Sequence, residues 1–239
     1  MSAASAVVDL HEPILKLQRF LDEIFVDVKV RQALDAGCGY SLPIDFPKGV
    51  RLIGLDVSAE ALERNRNIDA GIVGDLATYP LSREEYDAVV CWNVLEHLAD
   101  PRTAIANMAG SLRPGGVLIV AIPNLWSLKG MITKLTPHRS HVWVYSRVLG
   151  IPDAGMPGFG PFPTYLRREI APKALEQCAR AEKLERIYAA TYRWPVVLPR
   201  ALRIPWSALL VLCRALTLGA WDCAASEHIA VFRKLRTVD

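Results

Sequence analysis

Apolar residues along this chain fall into two periods. Short unbroken runs stand at 32–36, 51–56, 71–75, 86–91 and 117–122. Runs of that length suit the strands of a parallel sheet covered on both faces. Elsewhere the apolar positions recur three or four apart. Ile14, Leu15, Leu17, Leu21, Ile24 and Phe25 predict an amphipathic helix over 13–28. Ser58 caps a helix over 59–67, with Glu60 and Glu63 near its positive end. Asp100 and Pro101 open a third, which runs through Ile105 and Met108 to Leu112 and stops at Arg113-Pro114-Gly115-Gly116. Strands alternating with helices predict an α/β chain with a doubly wound, mostly parallel sheet. The stretch after Gly39 departs from the alternation: Pro43, Pro47 and Gly49 predict a loop where a crossover helix is usual.

Beyond residue 123 the pattern loosens. A helix is expected over 125–135, then a segment both aromatic and basic over 138–145, then a Gly- and Pro-rich loop or flap over 150–163. A helix over 166–181, interrupted near Pro172, a strand over 184–192 and a closing strand over 227–234 follow. Between those strands, 194–221 is strongly apolar but broken by Pro195, Pro199 and Pro205, and carries Arg200, Arg203 and Arg214. Its charge-free run, 204–213, is too short to span a bilayer.

The ends of the first four strands carry the chemistry. Leu34-Asp35-Ala36-Gly37-Cys38-Gly39 is an apolar run closing in an acid and two glycines, a turn that lets backbone N–H groups approach a ligand closely. Asp56 ends the next run about 20 residues on, where nucleoside-binding α/β folds place an acid on ribose hydroxyls. Asp75 ends the third run, and Trp92-Asn93-Val94-Leu95-Glu96-His97 follows the fourth. All four belong on the carboxyl edge of one sheet, where such sheets bind ligands.

With 239 residues, 51% hydrophobic and 22% charged, one α/β domain is expected rather than a disordered chain. A net charge of +3 with no dominant basic patch argues against a nucleic-acid partner. The five cysteines are scattered with no C-x-x-C, which points to reduced thiols in a cytoplasmic protein and to no metal site. The first ten residues lack the basic start and apolar core of a secretory signal.

Together these motifs resemble the class I S-adenosylmethionine-dependent methyltransferases, near the ubiquinone- and menaquinone-biosynthesis type. The resemblance rests on Leu34 to Gly39, Gly54-Leu55-Asp56-Val57-Ser58, Gly74-Asp75-Leu76, the stretch from Asp87 through Asn93, Glu96 and His97 to Pro101, and Leu112-Arg113-Pro114-Gly115-Gly116. It covers roughly 30–125 and the closing strand. It implies a seven-stranded Rossmann-like sheet with the last strand antiparallel, helical insertions, and S-adenosyl-L-methionine as cofactor. Asp35, Gly37, Cys38 and Gly39 would face its methionine part, Asp56 and Val57 the ribose, and Gly74, Asp75 and Leu76 the adenine. Asn93 and Val94 would line the methyl-transfer site. The third glycine of the first motif is absent, Ser41 standing near its place, which leaves the contacts around Tyr40 and Ser41 open. The implied organisation is a single domain over 1–239. It comprises an N-terminal helical lid over 1–30, a cofactor-binding half over 31–124, an acceptor-site insertion over 125–165 and an apolar helical insertion over 194–224. The N-terminal helix either packs on the sheet or forms a lid with His11, Gln18 or Arg19 facing inward.

Methyl transfer from a sulfonium is an in-line displacement that requires alignment and exclusion of water. A hydroxyl acceptor also needs a base. His97, His138 and His141 are the candidates, each with a packing or capping role as the alternative; Tyr145, Tyr165 and Glu96 are weaker ones, a helix N-terminus there being the plain reason for an acid at 96, and Cys38 has no evident base. The 194–221 stretch with Phe159, Phe162, Trp143 and Tyr145 suggests a lipophilic or aromatic small-molecule acceptor of the natural-product, quinone or glycolipid kind. O-methylation is favoured over N- or C-methylation. The same stretch suggests peripheral membrane or lipid contact, against an extra packed layer or a homodimer face. Other readings are a non-catalytic cofactor-binding partner subunit and a nicotinamide-dependent Rossmann oxidoreductase, which expects a third glycine where Leu42 stands. A nucleic-acid methyltransferase is disfavoured, since no Asn/Asp-Pro-Pro-aromatic motif follows the fourth strand.

Overall fold

A computed structural model describes residues 3–156, 160–193 and 199–236, with side chains from residue 12 onward. Seven strands form one sheet: β1 Gln32–Ala36, β2 Arg51–Asp56, β3 Ala70–Val73, β4 Tyr86–Trp92, β5 Leu112–Pro123, β6 Leu184–Tyr192 and β7 Glu227–Lys234. The order is β3-β2-β1-β4-β5-β7-β6. β1 to β5 pair in parallel, and β7 runs antiparallel between β5 and β6. The central strands are buried along nearly their whole length, which is why they read as unbroken apolar runs.

Two cores sit on the two faces. On one, α3 (Pro101–Ser111) and α6 (Pro172–Ala181) bury Ile105, Met108, Leu175 and Ala179 against Leu34, Leu55, Val89 and Leu118. On the other, α1 (Ala3–Val28) lays Leu17, Leu21 and Phe25 on Ala33, Leu52, Ala88 and Val90. Over residues 12–28 α1 is thus a packed layer rather than the lid the sequence allows. Gln18 donates to the Asp45 carbonyl and Arg19 is exposed, while the His11 side chain lies outside the described residues.

Several boundaries differ from expectation. α1 begins ten residues before Pro13, a proline inside the helix that the sequence suggests as its start. α2 ends at Arg64 rather than 67, because Asn65 leaves the helix to bond elsewhere. β5 starts at Leu112, so Arg113 to Gly116, which the sequence assigns only to stopping the helix, are also the irregular first part of the strand. Its register with β4 shifts there, and a Cβ on Gly116 would lie 2.9 Å from the Asp87 carbonyl. As expected, 37–50 carries no helix. After β5, α4 (Leu128–Leu135, capped by Ser127) and α5 (His138–Trp143) follow. A wider i→i+5 turn over Val144–Val148 closes on Leu149. α7 (Arg200–Leu216) precedes β7.

Candidate active site

The strand order reverses between β1 and β4, which opens a crevice at their carboxyl ends. The turn after β1 lines it. Gly37 has φ +82°, and a Cβ there would stand 2.3 Å from Val94 Cγ2, so only glycine lets this loop pass beneath Val94. The Gly37 N–H donates to the Leu55 carbonyl at 2.7 Å and ties the loop to β2. Gly39 has φ +48° with open space where its Cβ would be, and its N–H donates to Asp56 Oδ2 at 2.9 Å. Asp56 Oδ1 accepts from Ser58 N at 2.8 Å. One carboxylate thereby joins the glycine turn to the start of α2 (Ala59–Arg64). The Cys38 side chain is buried beneath the loop. Burial, followed by the nearby charge of Asp35 and Asp56, pushes its thiol up to about 12, so it stays protonated and is no nucleophile.

Asp35 is the anomaly of this edge. It is 1% exposed, and its Oδ2 has no hydrogen-bond partner. Burial first, and the neighbouring Asp56 charge second, raise its carboxyl to about 7. A buried acid without a partner is a candidate for ligand contact.

The third strand end forms a tight turn. Gly74 N–H bonds the Asp56 carbonyl, and a Cβ there would press on Tyr79. Asp75 is exposed with Oδ1 on Ala77 N, whereas Leu76 is buried under it. Val57 projects into solvent. Past β4, Asn93 adopts φ +54° and is exposed, its N–H on the Ala121 carbonyl; Val94 is half-buried against Gly37.

Glu96 and His97 follow in a single 3₁₀ turn, Leu95–His97. The helix N-terminus that would explain an acid at 96 is therefore absent. Glu96 is 5% exposed with Oε2 unpartnered, and burial lifts its carboxyl to about 8. His97 Nδ1 lies 2.6 Å from the Pro163 carbonyl, so Nδ1 carries the proton and Nε2 keeps its lone pair. Burial lowers the His97 pKa, outweighing the Pro163 bond, so the ring is neutral at pH 7. Glu96 Oε1 stands 3.9 Å from Nε2.

His138 and His141 form a separate pair in α5, with ring centroids 6.3 Å apart. Thr136 Oγ1 donates to the Ile132 carbonyl and accepts from His141 Nε2 at 2.6 Å, which leaves that nitrogen no lone pair to offer. His138 Nδ1 is buried without a partner. Trp143, Tyr145, Phe162 and Tyr165 are exposed; Phe159 lies outside the described residues.

Two clamps escape any reading of the sequence. Buried Asn65 donates Nδ2 to the carbonyls of Gly39 (3.1 Å) and Cys38 (3.3 Å), and Asn107 donates to those of Leu76 (3.1 Å) and Tyr79 (2.7 Å). Each fixes one of the two turns, Asn65 from the end of α2 and Asn107 from within α3. The only signal was an asparagine near a helix end, which many caps share.

These residues fit S-adenosylmethionine. The glycine turn leaves room for close backbone approach, the unpartnered Asp35 oxygen offers an anionic acceptor, and Asp56 retains lone pairs beyond its two backbone bonds. Among the described residues no group of three His, Cys, Asp or Glu is placed to hold a metal ion.

Comparison with known proteins agrees. Residues 34–120 match the family model described as a methyltransferase domain. A ubiquinone biosynthesis O-methyltransferase of Marinobacter nauticus is 28% identical over 144 residues, 52% of this chain and 60% of that one. A probable S-adenosylmethionine-dependent methyltransferase of Mycolicibacterium smegmatis is 37% identical over 114 residues, 45% of this chain and 44% of that one. The matched part thus spans less than two thirds of either relative. A solved S-adenosylmethionine-dependent methyltransferase from Archaeoglobus fulgidus shares the fold, with TM-score 0.55 at 13% identity over 94% of both chains. Residues 34–120 thus match a methyltransferase domain, and the strand order is that of a fold shared with solved S-adenosylmethionine-dependent methyltransferases.

Proposed function

We propose that this chain transfers a methyl group from S-adenosylmethionine to a small-molecule acceptor, with oxygen the favoured atom and a lipophilic or aromatic acceptor the favoured class. The cofactor supplies an electrophilic methyl on a sulfonium. The observation that carries the reading is the buried, unpartnered Asp35 beside the Gly37–Gly39 turn and Asp56. Asp35, Asp56 and Asp75 bind and orient. Val94, fixed over Gly37, walls the crevice.

His97 is the base the geometry supports. Its tautomer is held by the Pro163 carbonyl, its Nε2 lone pair is free to accept a hydroxyl proton, and its lowered pKa keeps it neutral. His141 Nε2 is already a donor, so His141 and His138 serve the acceptor insertion in this account. Oxygen is favoured because an amine acceptor needs no such base, and because a matched relative is named an O-methyltransferase. The exposed Trp143, Tyr145 and Phe162 support the lipophilic or aromatic acceptor.

The test measures S-adenosylhomocysteine release with a panel of phenols, catechols and hydroxylated quinone precursors. Turnover with hydroxyl acceptors is expected, falling about 10²–10⁴-fold in His97→Gln with cofactor affinity unchanged. Full activity in that variant removes His97 from the role, and turnover with amines alone removes oxygen as the acceptor atom.

A further inference from the structure

α7 is a helix of 17 residues with no buried side chain. Helices of a globular domain bury one stripe, as α1 and α6 do here. In α7 the half-buried residues are Trp206, Leu210 and Cys213, which mark the side turned to the protein. Ile204, Val211, Leu212 and Leu216 point away from that side, with Ile204 80%, Val211 69% and Leu216 75% accessible, and Leu202 and Leu209 are exposed at its border. Arg200, Arg203 and Arg214 form a strip between those two sides on a helical projection. No helix among the described residues is long and apolar enough to cross a membrane.

Charge sharpens the picture. Residues 125–152 and 199–221 hold seven Lys and Arg and no Asp or Glu, so the rest of the chain, with 21 Lys and Arg against 25 acids, is net acidic. The two stretches meet. Trp221 Nε1 donates to the Trp126 carbonyl at 2.6 Å, and Leu128 N donates to the Cys223 carbonyl at 2.8 Å. Cys223 Sγ in turn donates to the Leu210 carbonyl of α7 at 3.7 Å, which brings α7 near the start of α4, a helix that exposes Ile132 and Leu135 of its own.

We propose that α7, with the exposed face of α4, is an interfacial docking surface for an anionic lipid bilayer. The helix lies in the membrane plane with its aliphatic side in the acyl boundary and Arg200 and Arg214 at the headgroups. An apolar face flanked by arginines and free of acids is complementary to an anionic bilayer. A second copy covering the same face would bring two acid-free arginine strips together, which disfavours it. The surface stands independently of the methyl-transfer reading, because its test needs neither cofactor nor acceptor.

The experiment is flotation of the full chain with vesicles of phosphatidylcholine alone and with about 30% phosphatidylglycerol added, at low and high salt. Binding to the anionic vesicles only, weakened by salt, is expected. Ile204→Asp/Val211→Asp/Leu216→Asp is expected to abolish it with circular dichroism and melting unchanged, since all three side chains are exposed. Arg200→Ala/Arg214→Ala lowers affinity about 25-fold, about five-fold per arginine, and decides the matter should the triple variant not fold. No binding to anionic vesicles, equal binding to neutral ones, or binding unchanged in the variants overturns the proposal. So does light scattering that shows a dimer dissolved by the triple variant, which would assign the face to a second copy.

Discussion

Asp35 and Asp87 sit on adjacent strands of one sheet and are held in opposite ways. Asp87, near the start of β4, accepts from the N–H groups of Arg31 (2.9 Å) and Gln32 (3.0 Å) on one oxygen and from Arg113 (2.7 Å) on the other. Burial pushes its carboxyl up, but the Arg113 bond and the two N–H groups outweigh that and hold it below the carboxylate range. Asp35, near the end of β1, has an oxygen with no partner and a carboxyl lifted to about 7. The first acid is part of the structure; the second is stable only as a neutral group or against a cation brought from outside. This sheet fastens its amino edge with the Asp87–Arg113 ion pair and leaves Asp35 unpaired at its carboxyl edge, which makes that edge the candidate ligand site.

The largest effect that would break this contrast is at Gly37. Gly37→Ala forces a methyl onto Val94 and strains a backbone at φ +82°, so cofactor binding should fall at least about 100-fold and stability by about 1–3 kcal/mol. Titration calorimetry and denaturant melts check both. The paired aspartates should then move in opposite directions. Asp87→Asn weakens a charge-assisted bond to Arg113 and is expected to lose about 1–3 kcal/mol, whereas Asp35→Asn removes an unfavourably buried carboxyl and should gain about 1–3 kcal/mol at pH 7.5. Urea denaturation of the ligand-free protein decides it; a loss in both variants would show that Asp35 is structural.

A pH profile sharpens the same point. Glu96 has a folded pKa of about 8 against an ordinary 4.5, so the folded chain keeps a proton that the unfolded one releases, and stability falls as pH rises through that window. Buried His228, lowered to about 4 from 6.5, acts the other way, with stability lost as pH falls between those values. Above pH 6.5 the acids act alone. Melting temperature should therefore fall from pH 6.5 to 8, and Glu96→Gln should flatten most of that slope. The smallest effect is expected at Asn65→Ala. It frees two loop carbonyls and should cost about 1 kcal/mol and a few-fold in cofactor affinity, read by the same melts and titrations.

The frame of the fold was legible because parallel strands buried on both faces must be apolar throughout, and because an acid or glycine at each strand end interrupts the run visibly. Asp35, Gly37, Gly39, Asp56 and Asp75 could be found for that reason. What supports them could not. The clamps from Asn65 and Asn107 reach back across 26 to 31 residues, and Pro163 holds His97 from 66 residues away. Such bonds leave no trace in local pattern. Glu96 was misleading in a different way: its spacing suits the first turn of a helix, yet three residues of 3₁₀ turn leave a buried carboxyl. α7 was legible as apolar and arginine-bearing, but periodicity reveals an apolar face without saying whether protein covers it.

The central claim is that the unpartnered acid of the carboxyl edge, and not its paired neighbour, is there for the cofactor. Titration calorimetry of S-adenosylmethionine and S-adenosylhomocysteine into wild type, Asp35→Asn and Asp87→Asn tests it directly. Binding to wild type in the micromolar range is expected, retained in folded Asp87→Asn and reduced at least about ten-fold in Asp35→Asn. Equal affinity in Asp35→Asn, or no binding to folded wild type, would contradict it.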